Sequence, residues 1–167
     1  MRRFLLIVSL CLFVAAARSA LCAGGDLFTM ELSARVDSQQ QTARGQPSSA
    51  PATNAARPVL TAKSKAKLRI GWSVINQEKT GSIPDVTVHF FLDKEYAIGQ
   101  REVPKPGSNV VYESALVMDF PAQARSAADF LVEVPDAGNY LLRLETIGAA
   151  KTHGHEHFAA MDLKVVP

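Results

Sequence analysis

Cysteine is nearly absent from this chain of 167 residues: Cys11 and Cys22 are the two it has, and both fall within the first 23 positions. No internal disulfide can therefore brace the remainder, which must stand on its own apolar core, as a chain of this length can. A strong charge excess is also missing. The formal net charge is +2, and removing a segment that ends at Ala23 takes Arg2, Arg3 and Arg18 with it and leaves −1. With no basic patch interleaved with aromatics, nucleic acid is not an expected partner. Long helical periods are lacking too, so the crossover segments of a parallel α/β sheet have nowhere to come from. Signatures of catalysis are equally scarce: there is no G-x-S-x-G elbow, no phosphate-cradling glycine loop and no secure cysteine nucleophile, which makes an enzyme the less favoured class.

The one long apolar run is Phe4 to Ala17, preceded by Arg2 and Arg3 and followed by small residues. This is the charged, apolar and small-residue order of a secretory signal over residues 1–23, and the run is too short for a comfortable bilayer span. Cleavage falls after Ala17 or after Ala23. A lipid anchor at Cys22 is the alternative end, although Leu21 directly before it departs from the usual lipoprotein pattern. No transmembrane segment is expected in the mature chain, and a periplasmic or extracellular location follows from export.

Residues 24–57 read as an N-terminal segment and a low-complexity linker. Asp26 to Val36 suits either a short strand or an amphipathic helical turn, and Asp37 to Arg57 is Gln, Ser, Thr, Ala and Pro without an aromatic side chain. Such a composition buries too little apolar surface to offset the cost of ordering it, so the domain is expected at 58–167. Within it, period-two alternation marks Val59 to Lys63, Lys65 to Gln77, Asp85 to Asp93, Ala127 to Val134, Tyr140 to Leu144 and Phe158 to Val166 as strands, with Tyr96 to Val103 a further edge. Val110 to Phe120 has strand composition but blurred alternation. Trp72, in phase with Leu68, Ile70 and Val74, is the expected centre of the core.

The clearest pair of strands flanks a Pro/Gly turn in FLVEVPDAGNYLLRLE, Phe130 to Glu145. Its Asp136, Gly138 and Tyr140 resemble the tyrosine corner of an immunoglobulin-like sandwich. The resemblance implies an all-β, disulfide-free Greek-key sandwich of about seven strands, of the immunoglobulin-like or fibronectin-like superfamily, and it carries no activity with it. Trp72 and Leu142 do not fit the tryptophan and cysteine positions of antibody-type domains, so the comparison is with the disulfide-free members.

One cluster has chemical character. His153, His155, Glu156 and His157 form H-G-H-E-H, and His89 is the remaining histidine. Imidazoles at alternate positions of a strand can converge on copper or zinc, with His89 joining from another strand and Glu156 pointing the other way. The spacing of two is not the spacing of four used by helical zinc proteases. Against the metal stands a plainer reading, in which His155 and His157 share the inward phase of Met161 and Leu163 and are packed structural histidines. The expected function is an exported, non-catalytic binding or structural module whose partner is another exported or cell-envelope protein, recognised through an edge strand or through the outward residues His89, Phe91 and Glu156. The alternatives are a copper- or zinc-binding domain and an accessory domain of a secreted enzyme complex.

Overall fold

A computed structural model describes residues 27–47, 56–95, 97–99, 109–134, 136–147 and 157–167. Among these there is no helix; ten strands form two facing sheets, a β-sandwich. The strands are β1 (Phe28–Val36), β2 (Gln39–Arg44), β3 (Gln46–Pro47), β4 (Val59–Lys63), β5 (Lys67–Asn76), β6 (Ser82–Glu95), β7 (Val110–Pro121), β8 (Arg125–Glu133), β9 (Gly138–Ile147) and β10 (His157–Val166).

The four-stranded sheet runs β2-β1-β5-β8 and is antiparallel throughout. The six-stranded sheet runs β3-β10-β9-β6-β7, with β4 lying parallel to β10 on the same side as β3. The chain changes sheet five times, between β2 and β3, β4 and β5, β5 and β6, β7 and β8, and β8 and β9, so that no sheet is built from consecutive strands alone.

Sequence alternation dictates the layers. In β6, Val86, Val88, Phe90 and Leu92 all face the interior and are buried, as period two requires. They meet Leu142, Leu144, Met161 and Leu163 from β9 and β10, and Leu68, Ile70 and Val74 from the opposite sheet, in one continuous cluster. The bulkiest fully enclosed side chains are Tyr140, Phe90 and Phe120, and Phe28 meets Phe120 edge-on at 5.3 Å. Trp72 is not the centre it was expected to be: it is only partly buried and packs on the margin of this cluster. Its cross-strand neighbours explain this, since Ala128 on the outermost strand β8 gives it little cover.

The domain boundary also differs from the expectation that residues 24–57 are a linker. β1 is an interior strand, and Phe28, Met30, Leu32, Ala34 and Val36 are all buried, with Thr29, Glu31 and Arg35 exposed between them. The alternation is complete, and burying each large side chain contributes roughly 1.5–3 kcal/mol. A turn at Asp37 and Ser38, with Asp37 at φ 51°, returns the chain as β2. The sandwich thus starts before Pro58, and seven strands become ten through β1, β2 and β3. The expected strand at Tyr96 to Val103 falls largely outside the described residues, and positions 97–99 within it are not strand.

A side chain closes the turn that leads into β9. Tyr140, buried at the start of β9, donates its hydroxyl to the Asp136 carbonyl at 2.8 Å. Gly138 sits at φ +157° between them, an angle rarely adopted by residues with a side chain, while an added Cβ would meet Lys94 and the Tyr140 ring only at ordinary contact distance. Backbone conformation, not space, is what glycine serves there.

Candidate functional site

The outer face of the six-stranded sheet is built by the residues of β6, β9 and β10 that alternate with the core. His89, Phe91 and Asp93 of β6 stand beside Glu145, Arg143 and Leu141 of β9, and these in turn beside Phe158, Ala160 and Asp162 of β10. Much of this face is withdrawn from solvent. Phe91 is 5% exposed, which corrects its expected role as an outward contact. Its ring lies 3.9 Å from that of His89, centre to centre, and His89 Nε2 is 3.6 Å from a carboxylate oxygen of Glu113 on β7. Beside them Arg143 bonds Glu145 through Nε at 2.8 Å, and its guanidinium lies 5.0 Å from the centre of the Phe158 ring. The face is thus a second, smaller layer of packed aromatic and paired charged groups.

At one end of it, Arg57 is clasped between two carboxylates. Its Nη2 bonds both oxygens of Glu95, at 2.9 and 3.1 Å, and its Nε approaches Asp162 Oδ1 at 2.6 Å. Asp162 also accepts from the Gly99 amide, and its own amide bonds the Pro58 carbonyl at 2.8 Å. Burial pushes the Glu95 carboxyl up to about 7; Arg57 opposes the shift and neighbouring Asp162 adds to it. The clasp fastens the chain to β10 just before it enters β4, and its sequence signal was a lone arginine at the end of a polar stretch.

The two described histidines, His89 and His157, do not come together. His89 pairs across β6 and β9 with Glu145, whereas His157 pairs across β10 and β9 with Thr146, so the two imidazoles project to opposite faces of one sheet. His157 is buried in the interior, edge-on to Phe28 at 5.8 Å. The inward phase expected of it from Met161 and Leu163 is the one observed. His153, His155 and Glu156 lie outside the described residues. Among the described residues, no group of three or more His, Cys, Asp or Glu side chains is arranged to hold a metal ion.

A shallow depression on the outer face of the four-stranded sheet lies over Gly71, where an added Cβ would come within 2.8 Å of Ser33 Oγ. Small residues Ser33, Ser73 and Ala127 floor it, and the exposed Arg69 and Asp129 pair stands at its side with three bonds of 2.8 to 3.0 Å. Each of these charges is held by the other: the bond to Asp129 raises the Arg69 pKa, and the bond to Arg69 lowers that of Asp129. Glu31, Arg125 and Asp129 also line it, and the Ser33 hydroxyl donates to the Gly71 carbonyl at 3.1 Å.

Leu131 of β8, 65% exposed, stands beside Arg69 on this face of the four-stranded sheet, and the other strand rich in exposed apolar side chains is β7. Among the described residues β7 is the outermost strand of its sheet, bonded to β6 on one side only. It is twelve residues long, and every residue from Val111 to Val117 is exposed on whichever face it occupies. Four large apolar side chains stand in solvent: Val111 at 46%, Tyr112 at 36%, Leu116 at 47% and Val117 at 64%. Tyr112 and Leu116 share the inward phase with Leu92 and Val88, their partners across the ladder, yet remain exposed. Val117 shares the outer phase, beside Thr87 and, beyond it, the exposed Ile147. The Tyr112 ring stacks on Phe130 of β8 at 5.7 Å, which closes the sandwich mouth beneath it. The blurred alternation of VVYESALVMDF was itself the signal: apolar residues on both phases suit a strand that has something to bury on both faces.

No protein-family model matches the chain, and no curated protein is significantly similar to it.

Proposed function

We propose that the chain is an exported, non-catalytic binding module of the immunoglobulin-like sandwich class, and that its working surface is the free edge of β7. The observation that carries the reading is the set of four solvent-exposed apolar side chains on a long strand that, among the described residues, is bonded on one side only. Soluble proteins blunt such edges with lysine, proline, shortness or cover, because an open ladder pairs with any extended chain. From Ser114 to Met118 β7 has no charge and no proline. Main-chain bonds along that edge would give affinity, and alternate side chains on each face would give selectivity. The tyrosine-corner bond of Tyr140 supports the superfamily assignment, and the Phe4 to Ala17 run supports export to the periplasm or beyond. The partner class is another exported or cell-envelope protein. Copper or zinc binding, the alternative drawn from the histidines, would rest on His153, His155 and their neighbours without His89.

The reading is tested by selecting displayed random peptides on the protein, with counter-selection on Leu116→Lys/Val117→Lys, two exposed changes that leave folding stability within about 0.5 kcal/mol. Peptides with alternating apolar residues that bind the native chain and not the double variant are the expected result. Enrichment of peptides that bind both equally would sink the assignment of β7.

A further inference from the structure

We infer that the occupant of the β7 edge is a second copy of this chain, paired antiparallel about a two-fold axis through Ser114. The inference rests on the edge-binding reading above and names its partner. Its basis is a symmetry in the exposure pattern. An antiparallel pair of identical strands that places Ser114 opposite its own copy also places Tyr112 opposite Leu116 and Val111 opposite Val117. These are the four exposed apolar residues of the strand, and each finds another of the four across the axis. Because paired residues share a face, the Tyr112 and Leu116 pairs lie together on the inner side and continue onto Phe130, while Val117 meets Val111 at the bulge where the ladder with β6 shifts.

Charge is consistent with the same register. β7 carries two carboxylates, Glu113 and Asp119. In this pairing Glu113 faces Ala115 and Asp119 faces Asn109, so no carboxylate stands opposite another, a juxtaposition that would be destabilising. Glu113 already has His89 of its own chain nearby, and Asp119 already accepts from the Asp85 amide at 3.0 Å. A heterologous peptide requires no such internal symmetry, whereas a two-fold contact requires the same patch to complement itself.

The other outer strands do not offer this. β2 reads QQQTAR and exposes polar side chains, β4 is five residues long, and β8 carries Arg125, Asp129 and Glu133 along its length. Pairing through β7 would join two six-stranded sheets into one continuous sheet and leave the Arg57 clasp and the depression over Gly71 at a distance from the contact.

The mass of the chain in solution, followed by light scattering over a micromolar to millimolar series, tests this. The native chain is expected to pass from one copy to two, and Ser114→Lys, which sets two ammonium groups against each other at the axis, to stay at one copy with an unchanged melting temperature. In a chain freed of native thiols by Cys11→Ser and Cys22→Ser, Ser114→Cys is expected to oxidise to a disulfide-linked pair. Residues directly opposed in an antiparallel ladder are about 4.5–5.5 Å apart at Cα, within disulfide reach. A mixture of Tyr112→Cys and Leu116→Cys chains should likewise cross-link several-fold better than either alone. One copy throughout the series overturns the inference, as does a pair that Ser114→Lys leaves intact and Ser114→Cys does not link. If the mass stays at one copy while displayed peptides still select for β7, the identity of the partner falls and the binding edge stands; if neither occurs, both fall.

Discussion

At the scale of single residues, buried polar groups decide more than the exposed ones. Glu95 is the sharpest case, because its carboxyl is held near pH 7 in the folded chain against about 4.5 in the unfolded one. Between those values the folded state binds the extra proton, so this group's contribution to stability is fully present below the lower value and is lost as pH rises through the higher. The melting temperature should accordingly fall between about pH 5 and pH 8, and Glu95→Gln should flatten that slope. A slope unchanged in the variant would assign the effect to other groups. Tyr140 makes a simpler prediction: Tyr140→Phe removes the bond to the Asp136 carbonyl and should cost about 0.5–1.5 kcal/mol in denaturant unfolding, with no change in fold. These two residues differ in legibility. The D-x-G-x-Y pattern announced the Tyr140 corner, whereas nothing around Arg57 or Glu95 showed that they would meet, since the contact spans 38 positions. Phe91 lies on its expected outer face but is covered there, and Trp72 lies at the margin of the core and not at its centre, because alternation assigns a face to a residue but not what lies over that face.

At the scale of elements, β4, β5 and much of β6 were legible because one face is buried and the other is not, whereas β9 and β10 are buried on both faces over much of their length and were legible from the apolar residues of their inner phase. β4 spans the expected Val59–Lys63. β1 has the same clean alternation, and its membership of the sandwich was obscured by the polar sequence that follows it. β2 in that sequence contributes main-chain pairing and one buried side chain, Ala43, so apolar content was the wrong measure of whether it is ordered. If β1 is interior, Leu32→Ala should cost about 2–5 kcal/mol in denaturant unfolding, the range for removing a buried leucine. A value near zero would return the first strand to the linker. β7 was recognised by composition, and its irregular pattern follows from exposure on both faces.

For the whole molecule, the two sheets make a core that needs no disulfide, and the surface left over determines what the protein can do. Two of its outer faces are occupied by internal pairs, Arg143 with Glu145 and Arg69 with Asp129. In the edge-binding proposal β7, outermost among the described residues, is the feature that reaches beyond the chain, since its outer main-chain groups and apolar flanks can be taken up by another strand. Removing residues 27–44 should abolish cooperative unfolding altogether, because β5 would lose its neighbour along its length.

The most direct test of the account is amide hydrogen exchange resolved along the chain, measured across a concentration series and again with a β7-selected peptide. Protection is expected to be gained within 110–119, in step with occupancy of the edge, while the clasp around Arg57 and the strands of the opposite sheet keep their rates. Protection gained on the His89 face or over Gly71 instead, with β7 unchanged, would contradict it.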